Sequence, residues 1–223
     1  MSSTALQRMM PEDFLAFERE SETKHEFYDG QIFAMAGTSA AHNVICMNLA
    51  RMVGNGVLGK PCRTFGMDLR VHVSPNGFFT YPDLIVVCGE PVYFDTAFDT
   101  LVNPKVIVEV LSPSTEAYDR GRKFALYEEI VSLTDYLLVS QDMARVEHFE
   151  REDAAHWRRS AYASLEQTVS IRSIDCGLPM SEIYRLVEFE DRVPLRKQVD
   201  EGGEGPASSG RSSTSERAYS AAE

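Results

Sequence analysis

The stretch VIVEVLSPST, residues 106–115, places a carboxylate inside an apolar β-strand. Glu109 follows Val106-Ile107-Val108 and precedes Val110-Leu111, so its side chain would enter an apolar interior. A carboxylate buried there without a partner costs several kcal/mol of stability, or else takes up a proton. The fold of this region therefore depends on what compensates Glu109.

A second carboxylate has a matching position in the preceding strand. In YPDLIVV, residues 81–87, Asp83 lies near the strand start, and period-two alternation puts it on the face of Ile85 and Val87. If the two strands are antiparallel neighbours, Asp83 and Glu109 converge at one edge of the sheet. A divalent cation between them would remove both the burial penalty and the mutual repulsion, and Mg²⁺ prefers such oxygen ligands. The alternative is that each acid pairs with an arginine or caps a turn.

A helix is predicted over residues 116–130, directly after the Glu109 strand. Its Asp119, Lys123 and Tyr127 recur every four residues and form one stripe. Taken alone, this stripe is an ordinary ion pair beside a core tyrosine. Because the helix leaves the strand end that carries Glu109, the stripe could instead face the two carboxylates. A lysine there could position a water molecule near a metal ion.

The remaining pattern mixes helices and strands around one core. Asp29-Gly30 between two alternating apolar arms predicts a β-hairpin. The predicted helices cover 11–20, 41–53 and a short segment near 181–187, and the predicted strands cover 62–73, 79–88, 105–111, 135–142, 145–150 and parts of 156–175. We expect an α/β (α+β) domain with one central mixed sheet over residues 1–196, followed by a disordered polar tail over 197–223.

Composition limits the function classes. The formal net charge is −12, which argues against non-specific nucleic-acid binding, although a local metal site could offset it. The four cysteines show no C-x-x-C spacing, which favours reduced core thiols over a zinc site or disulfides. The N-terminal residues lack a signal-peptide pattern, and no stretch approaches the ~18 apolar residues of a membrane helix. We therefore expect a cytoplasmic protein.

Five motifs together resemble a known family. In chain order they are EFYDG (26–30), SAAHN (39–43), PDLIVV (82–87), EVLSPST (109–115) and DRGRKFALY (119–127). Their order and spacing, from about residue 8 to residue 190, resemble the Uma-type restriction endonucleases of the PD-(D/E)xK nuclease superfamily. The resemblance implies a restriction-endonuclease-like fold, with a central mixed sheet flanked by helices, and a Mg²⁺- or Mn²⁺-dependent endonuclease that cleaves phosphodiester bonds in DNA.

The resemblance also assigns roles to residues. Asp83 and Glu109 correspond to the metal ligands, and Glu26 to a further acid at the site. Leu111 stands where the superfamily usually has its lysine; in this family the lysine is displaced onto the following helix, which here gives Lys123. Lys123 would orient the attacking water or the phosphate.

Four further residues have two interpretations each. His42 could contact a phosphate or cap the helix that it precedes. Arg120 and Arg122 flank Lys123 and could contact phosphates, or they could be solvated surface charges. Tyr127 could hold Lys123 or Asp119 through its hydroxyl, or it could be a core tyrosine with one hydrogen bond.

Two other function classes compete with the nuclease. A catalytically inactive module with the same fold, used for nucleic-acid or protein interaction, fits the acidic body. Hydrolysis of a small phosphodiester also fits the acidity but has no motif of its own. A homodimer paired through the apolar strands of 135–150 is a further hypothesis, for which the sequence contains no specific signal.

Overall fold

The computed structural model describes residues 9–35, 37–74 and 77–189. All of them belong to the first of two units of the chain, Met1–Glu190. The predicted boundary at residue 196 and the predicted tail over 197–223 lie outside the described residues. Among the described helices, none is long and apolar enough to cross a membrane.

The described elements follow one another along the chain as mixed helices and strands. They are α1 (Pro11–Glu20), β1 (His25–Tyr28), β2 (Gln31–Ala34), α2 (Ala40–Gly56), β3 (Cys62–Gly66), β4 (Arg70–Val73), β5 (Phe78–Thr80), β6 (Leu84–Cys88), β7 (Thr100–Leu101), β8 (Val106–Leu111), α3 (Glu116–Tyr118), α4 (Phe124–Tyr127), β9 (Asp135–Ser140), β10 (Val146–Arg151), β11 (Trp157–Tyr162), β12 (Thr168–Ile171), β13 (Cys176–Pro179) and α5 (Met180–Ile183).

The central sheet has six strands in the order β11-β10-β9-β8-β6-β3. Strands β8 and β9 are parallel and the other neighbours are antiparallel, which confirms the predicted mixed sheet. All six residues of β8 are buried, as expected for a strand that is covered on both faces. Val106, Val108 and Val110 pack with the apolar residues of α2, whereas Ile107 and Leu111 pack with Leu126 and Tyr127 of α4.

Beside the predicted central mixed sheet, the described residues form two further sheets. One has five strands in the order β2-β1-β5-β4-β7, and β12 and β13 form a two-stranded sheet. The predicted strands over 62–73 and 79–88 each divide between two sheets. The first breaks at a turn in which Leu69 N–H donates to the Gly66 carbonyl. The second breaks around Pro82, which has no N–H to donate to a sheet ladder.

The predicted hairpin is confirmed. Strands β1 and β2 pair with Tyr28 opposite Gln31, and the turn residues Asp29 and Gly30 have φ angles of 50° and 76°. Positive φ at both central positions is the geometry that Asp-Gly favours in two-residue hairpins. On its other edge β1 pairs with β5, Phe27 opposite Phe79. This register carries Glu26 of β1 to the neighbourhood of Thr80.

The predicted helix over 116–130 is shorter and is not uniformly α-helical. Residues Asp119–Lys123 form a π-helical turn between α3 and α4, and helical structure ends at Tyr127. Asp119 and Lys123 both point inward and are buried, so the charged stripe lies against the protein interior. Single π-helical turns inside α-helices are often found at functional sites.

The expectation of four reduced thiols is wrong for two of the cysteines. Cys62 and Cys88 form a disulfide between β3 and β6, where the antiparallel register places them opposite each other. The two residues are 26 positions apart, and no sequence motif signals a pairing that arises from strand register. Cys46 and Cys176 are free and buried, as predicted.

The apolar strands near 135–150 do not offer an edge for pairing between subunits. Strand β9 is hydrogen-bonded to β8 and β10, and β10 is hydrogen-bonded to β9 and β11. Both edges of each strand are therefore occupied within the chain. The proposed route to a homodimer through these strands is wrong.

Two glycines near the end of α2 give a matched test of its packing. A Cβ at Gly56 would overlap the Cys176 sulfur and lie 3.2 Å from Cys176 Cβ, whereas a Cβ at Gly54 meets nothing within 4 Å. We expect Gly56→Ala to lower the free energy of unfolding by about 1–3 kcal/mol through overpacking. Gly54→Ala should raise it by about 0.5–1 kcal/mol because alanine favours the helix. Urea denaturation of both variants measures the difference; equal effects would contradict the close contact.

Candidate active site

A cavity of about 690 Å³ opens where the β6 and β8 ends meet β1, the start of α2 and the segment 112–123. Glu26, Asp83, Glu109 and Lys123 all line it. A concave site with a few convergent polar groups is the usual form of a small-molecule or catalytic site. The four predicted catalytic residues thus share one cavity.

Asp83 and Glu109 converge because β6 and β8 are antiparallel neighbours, as predicted. The register places Leu84 opposite Val108, so Asp83, just before β6, adjoins Glu109 in β8. One Asp83 oxygen, Oδ2, accepts a hydrogen bond of 2.7 Å from the backbone N–H of Val110. That contact ties the Asp83 side chain to the strand that carries Glu109.

Lys123 reaches the same place from the π-helical turn. Its Nζ lies 2.9 Å from Glu109 Oε1, 3.1 Å from Glu26 Oε1 and 3.6 Å from Asp119 Oδ1. The lysine side chain is only 4% exposed, so these carboxylates are its environment. The structure therefore brings the displaced lysine to the strand carboxylate, although Leu111 occupies the usual lysine position.

Two side-chain hydroxyl groups hold the carboxylates of Glu109 and Glu26 by hydrogen bonds. Tyr127 Oη donates to Glu109 Oε1 at 2.8 Å, and Thr80 Oγ1 donates to Glu26 Oε1 at 2.5 Å. Tyr127 is fully buried, as the core-tyrosine interpretation predicted, but its hydroxyl holds Glu109 rather than Lys123 or Asp119. Each of these hydrogen bonds restricts the position of one carboxylate.

The cavity carries a surplus of acid. Four carboxylates line it (Glu26, Asp83, Glu109 and Asp119), against two cations, Lys123 and Arg122, among the described lining residues. Burial raises the pKa of Glu109 to about 8 and also raises the pKa of Asp119, while the Lys123 charge acts in the opposite direction. A site of this kind takes up either a proton or a further cation.

Lys123 keeps its charge within the cluster. Burial by itself would lower the pKa of its ammonium group, but the carboxylates of Glu109, Glu26 and Asp119 outweigh that effect and hold the pKa well above its usual value. The side chain is therefore a hydrogen-bond donor and a fixed positive charge, not a base.

His42 does not cap α2, and its ring lines the cavity. The cap of α2 is Ser39, whose Oγ accepts from the His42 backbone N–H at 3.0 Å. The His42 ring instead points to the site, with Nε2 at 3.1 Å from Asp83 Oδ1. The two oxygens of Asp83 thus face different neighbours, the His42 ring and the Val110 amide.

The two arginines that flank Lys123 have different positions. Arg120 Nε donates to Glu116 Oε1 at 2.9 Å, and its guanidinium also pairs with Glu147. It lies outside the lining of the cavity, and its role as a substrate contact stays a prediction. Arg122 lines the cavity, with its guanidinium carbon 4.7 Å from the centre of the Tyr28 ring.

Two residues of this region, Thr80 and Cys46, were not predicted from the sequence. No sequence pattern marks Thr80, which donates a hydrogen bond to Glu26. Its contact with Glu26 depends on the β1–β5 register. Cys46 lies within reach of the cavity residues His42 and Asp83. Cys46 follows His42 by four residues in one helix, and this spacing could have predicted that the two side chains lie on the same face. Burial, with the charges of Asp83 and Glu109, raises the pKa of the Cys46 thiol far above its usual range.

Lys123 and Arg122 provide a matched pair for testing the buried charge cluster. In the presence of a chelator, Lys123→Met should lower the free energy of unfolding by about 3–5 kcal/mol, because it leaves buried carboxylates without their cation. Arg122→Met removes the same charge from an exposed neighbour and should change stability by no more than about 0.5 kcal/mol. Denaturant titration monitored by circular dichroism compares them. Similar losses for the two variants would contradict the cluster.

Comparison with known proteins agrees with this architecture. A family described as "Uma2: putative restriction endonuclease" matches residues 11–181. Two uncharacterized proteins of Synechocystis sp. are similar: one is 36% identical over 187 residues, covering 84% of this chain and 97% of that protein. The other is 34% identical over 145 residues, covering 65% of this chain and 82% of that protein.

A solved structure gives the same fold. The crystal structure of a "putative nuclease belonging to DUF820" from Anabaena variabilis superposes with a TM-score of 0.66 at 16% identity, covering 79% of this chain and 97% of that one. The structural likeness shows the fold, and the family match over residues 11–181 shows the family: the chain belongs to the Uma2 family of putative restriction endonucleases.

Proposed function

We propose that this protein is a metal-dependent endonuclease that hydrolyses phosphodiester bonds in DNA. The observation that carries the proposal is the buried contact of Lys123 with Glu109 at 2.9 Å, beside Asp83, in an open cavity. Membership of the Uma2 family supports nuclease chemistry, and the cation and the substrate are argued from the site itself.

The donor set fits Mg²⁺ or Mn²⁺. Asp83 and Glu109 offer carboxylate oxygens from adjacent strands, and the surrounding acid surplus favours a divalent cation. We assign these two residues as its ligands. When bound, such a cation lowers the pKa of a coordinated water and neutralises charge at the scissile phosphate.

Lys123 acts as a positioning charge in this proposal. Its raised pKa keeps the ammonium protonated at neutral pH, so it can donate to the attacking water or to a phosphate oxygen. Glu26 pairs with Lys123 and accepts a hydrogen bond from Thr80. The role of Glu26 is to fix the lysine, because its Oε1 already accepts from both partners.

The sugar-phosphate backbone of the DNA substrate would lie along the opening of the cavity. Arg122 is the exposed cation among the described residues that line the cavity, and it can contact a phosphate. The protein as a whole is acidic, with a formal net charge of −12. Binding should therefore depend on local contacts and on the divalent cation more than on a general basic surface.

Cation binding can be tested without catalysis. Mn²⁺ at a hundred times its dissociation constant should add about 2.7 kcal/mol to the free energy of unfolding, since it binds only the folded site. Asp83→Asn and Glu109→Gln should remove this stabilisation, whereas Glu129→Gln, an exposed acid outside the cavity, should keep it. Thermal denaturation with and without Mn²⁺ measures the shift. If the protein is instead an inactive module of the same fold, Mn²⁺ should not shift the thermal denaturation of the unaltered protein.

DNA cleavage tests the reaction itself. Purified protein with Mg²⁺ or Mn²⁺ should nick supercoiled plasmid, and a chelator should stop it. Glu109→Gln should abolish nicking, and Lys123→Met should slow it by about 100- to 1000-fold, as expected for loss of one preorganised donor. Glu129→Gln purified in parallel controls for contaminating nucleases. Cleavage that survives both Asp83→Asn and Glu109→Gln would rule out the assignment.

A further inference from the structure

A second group of metal-binding side chains lies on the other side of Asp83. His42, Cys46 and Asp83 each present one donor atom, and these atoms all lie within 4.8 Å of one another. His42 and Cys46 are 5% and 7% exposed, so the group is largely shielded from solvent. No part of the proposed nuclease reaction uses Cys46.

The group arises from helix geometry and from the strand end. His42 and Cys46 are four residues apart in α2, so their side chains lie on the same face, one turn apart. That face packs against the central sheet, and Asp83 meets it just before β6. Asp83 Oδ1 faces this group, whereas Oδ2 faces the β8 backbone beside Glu109.

The donor types differ from those of the oxygen site. Thiolate and imidazole ligands select zinc and related transition metals, while Mg²⁺ prefers oxygen ligands. Ligands of tetrahedral Zn²⁺ lie ~2.0–2.3 Å from the ion. Donor atoms at 4.8 Å or less therefore need only small side-chain rotations to reach such an ion.

We propose that His42, Cys46 and Asp83 form a binding site for a thiophilic divalent cation of the zinc class, adjoining the oxygen site of Asp83 and Glu109. Three protein ligands leave a fourth position, and His42 and Asp83 border the cavity. This is the arrangement of zinc sites that keep one position for water or a substrate. Binding releases the Cys46 thiol proton to solvent, and the cation takes its place.

Asp83 links this inference to the proposed function without making it depend on nuclease activity. Its Oδ1 faces the His42 ring and its Oδ2 faces the β8 backbone beside Glu109, so one carboxylate can serve both groups. The simpler explanation of the same contacts is that His42 only orients Asp83 by a hydrogen bond. The two explanations differ in the role of Cys46, because a histidine that only orients Asp83 does not need a neighbouring thiol.

Co²⁺ is the probe that separates these explanations, because a cobalt–thiolate bond gives a charge-transfer band in the near ultraviolet. The full chain with its disulfide intact is titrated with Co²⁺ and followed by absorption spectroscopy. We expect one equivalent to produce the band with the intensity of a single thiolate, and Zn²⁺ to displace it. Cys46→Ser should abolish the band and weaken Zn²⁺ binding, because it removes the thiolate ligand.

Cys176 is the matched control, since it is the other free buried cysteine among the described residues. Cys176→Ser should keep the band and the Zn²⁺ affinity. A band that persists in Cys46→Ser, or no band in the unaltered protein, would overturn the proposal. If Cys46→Ser does not fold, Cys46→Ala replaces it, and the band intensity of the unaltered protein still decides whether one thiolate binds the metal. None of these results depends on DNA cleavage.

Discussion

The burial of one ammonium group among three carboxylates is the constraint on which the rest of this structure depends. Lys123 contacts Glu109 of β8, Glu26 of β1 and Asp119 of its own helical segment. These contacts join both large sheets to the helix that covers them. Ionic groups in an interior contribute less to stability than apolar packing of the same volume would, but removing one partner is strongly destabilising. The cluster therefore fixes the geometry of the cavity at a cost in stability, as functional sites often do.

The same cluster explains why the cavity is suited to a cation. Lys123 compensates only part of the acid around it, and burial raises the pKa of Glu109 to about 8. Asp83 is one of the acids of this cavity, with one oxygen toward the His42 ring and the other toward the β8 backbone. Two donor groups of different chemistry thus meet at one carboxylate, an oxygen group toward Glu109 and a nitrogen–sulfur group on α2. In our two proposals, ligand softness decides which cation each group would bind.

The wrong predictions share a physical origin. Alternation of apolar residues tells which face a side chain occupies, but it does not tell which strand is its neighbour. For that reason the strands predicted over 62–73 and 79–88 were not divided between sheets, and the pairing of Cys62 with Cys88 was not expected. Arg120 illustrates the same limit for a helix: its position beside Lys123 suggested the site, but its side chain pairs with Glu116 and Glu147.

The sequence by itself determined the local order of this protein: the charged residue within VIVEVL, the Asp-Gly hairpin, the helix stripe with Lys123, and the motifs that mark the family. These features depend on residue periodicity and turn chemistry, which act over a few residues. Only the tertiary structure decided that Tyr127 holds Glu109, that Thr80 holds Glu26 and that Cys46 adjoins His42 and Asp83. Those contacts depend on strand register and on how helices pack against the sheet, which is fixed by the packing of the whole core rather than by any short segment.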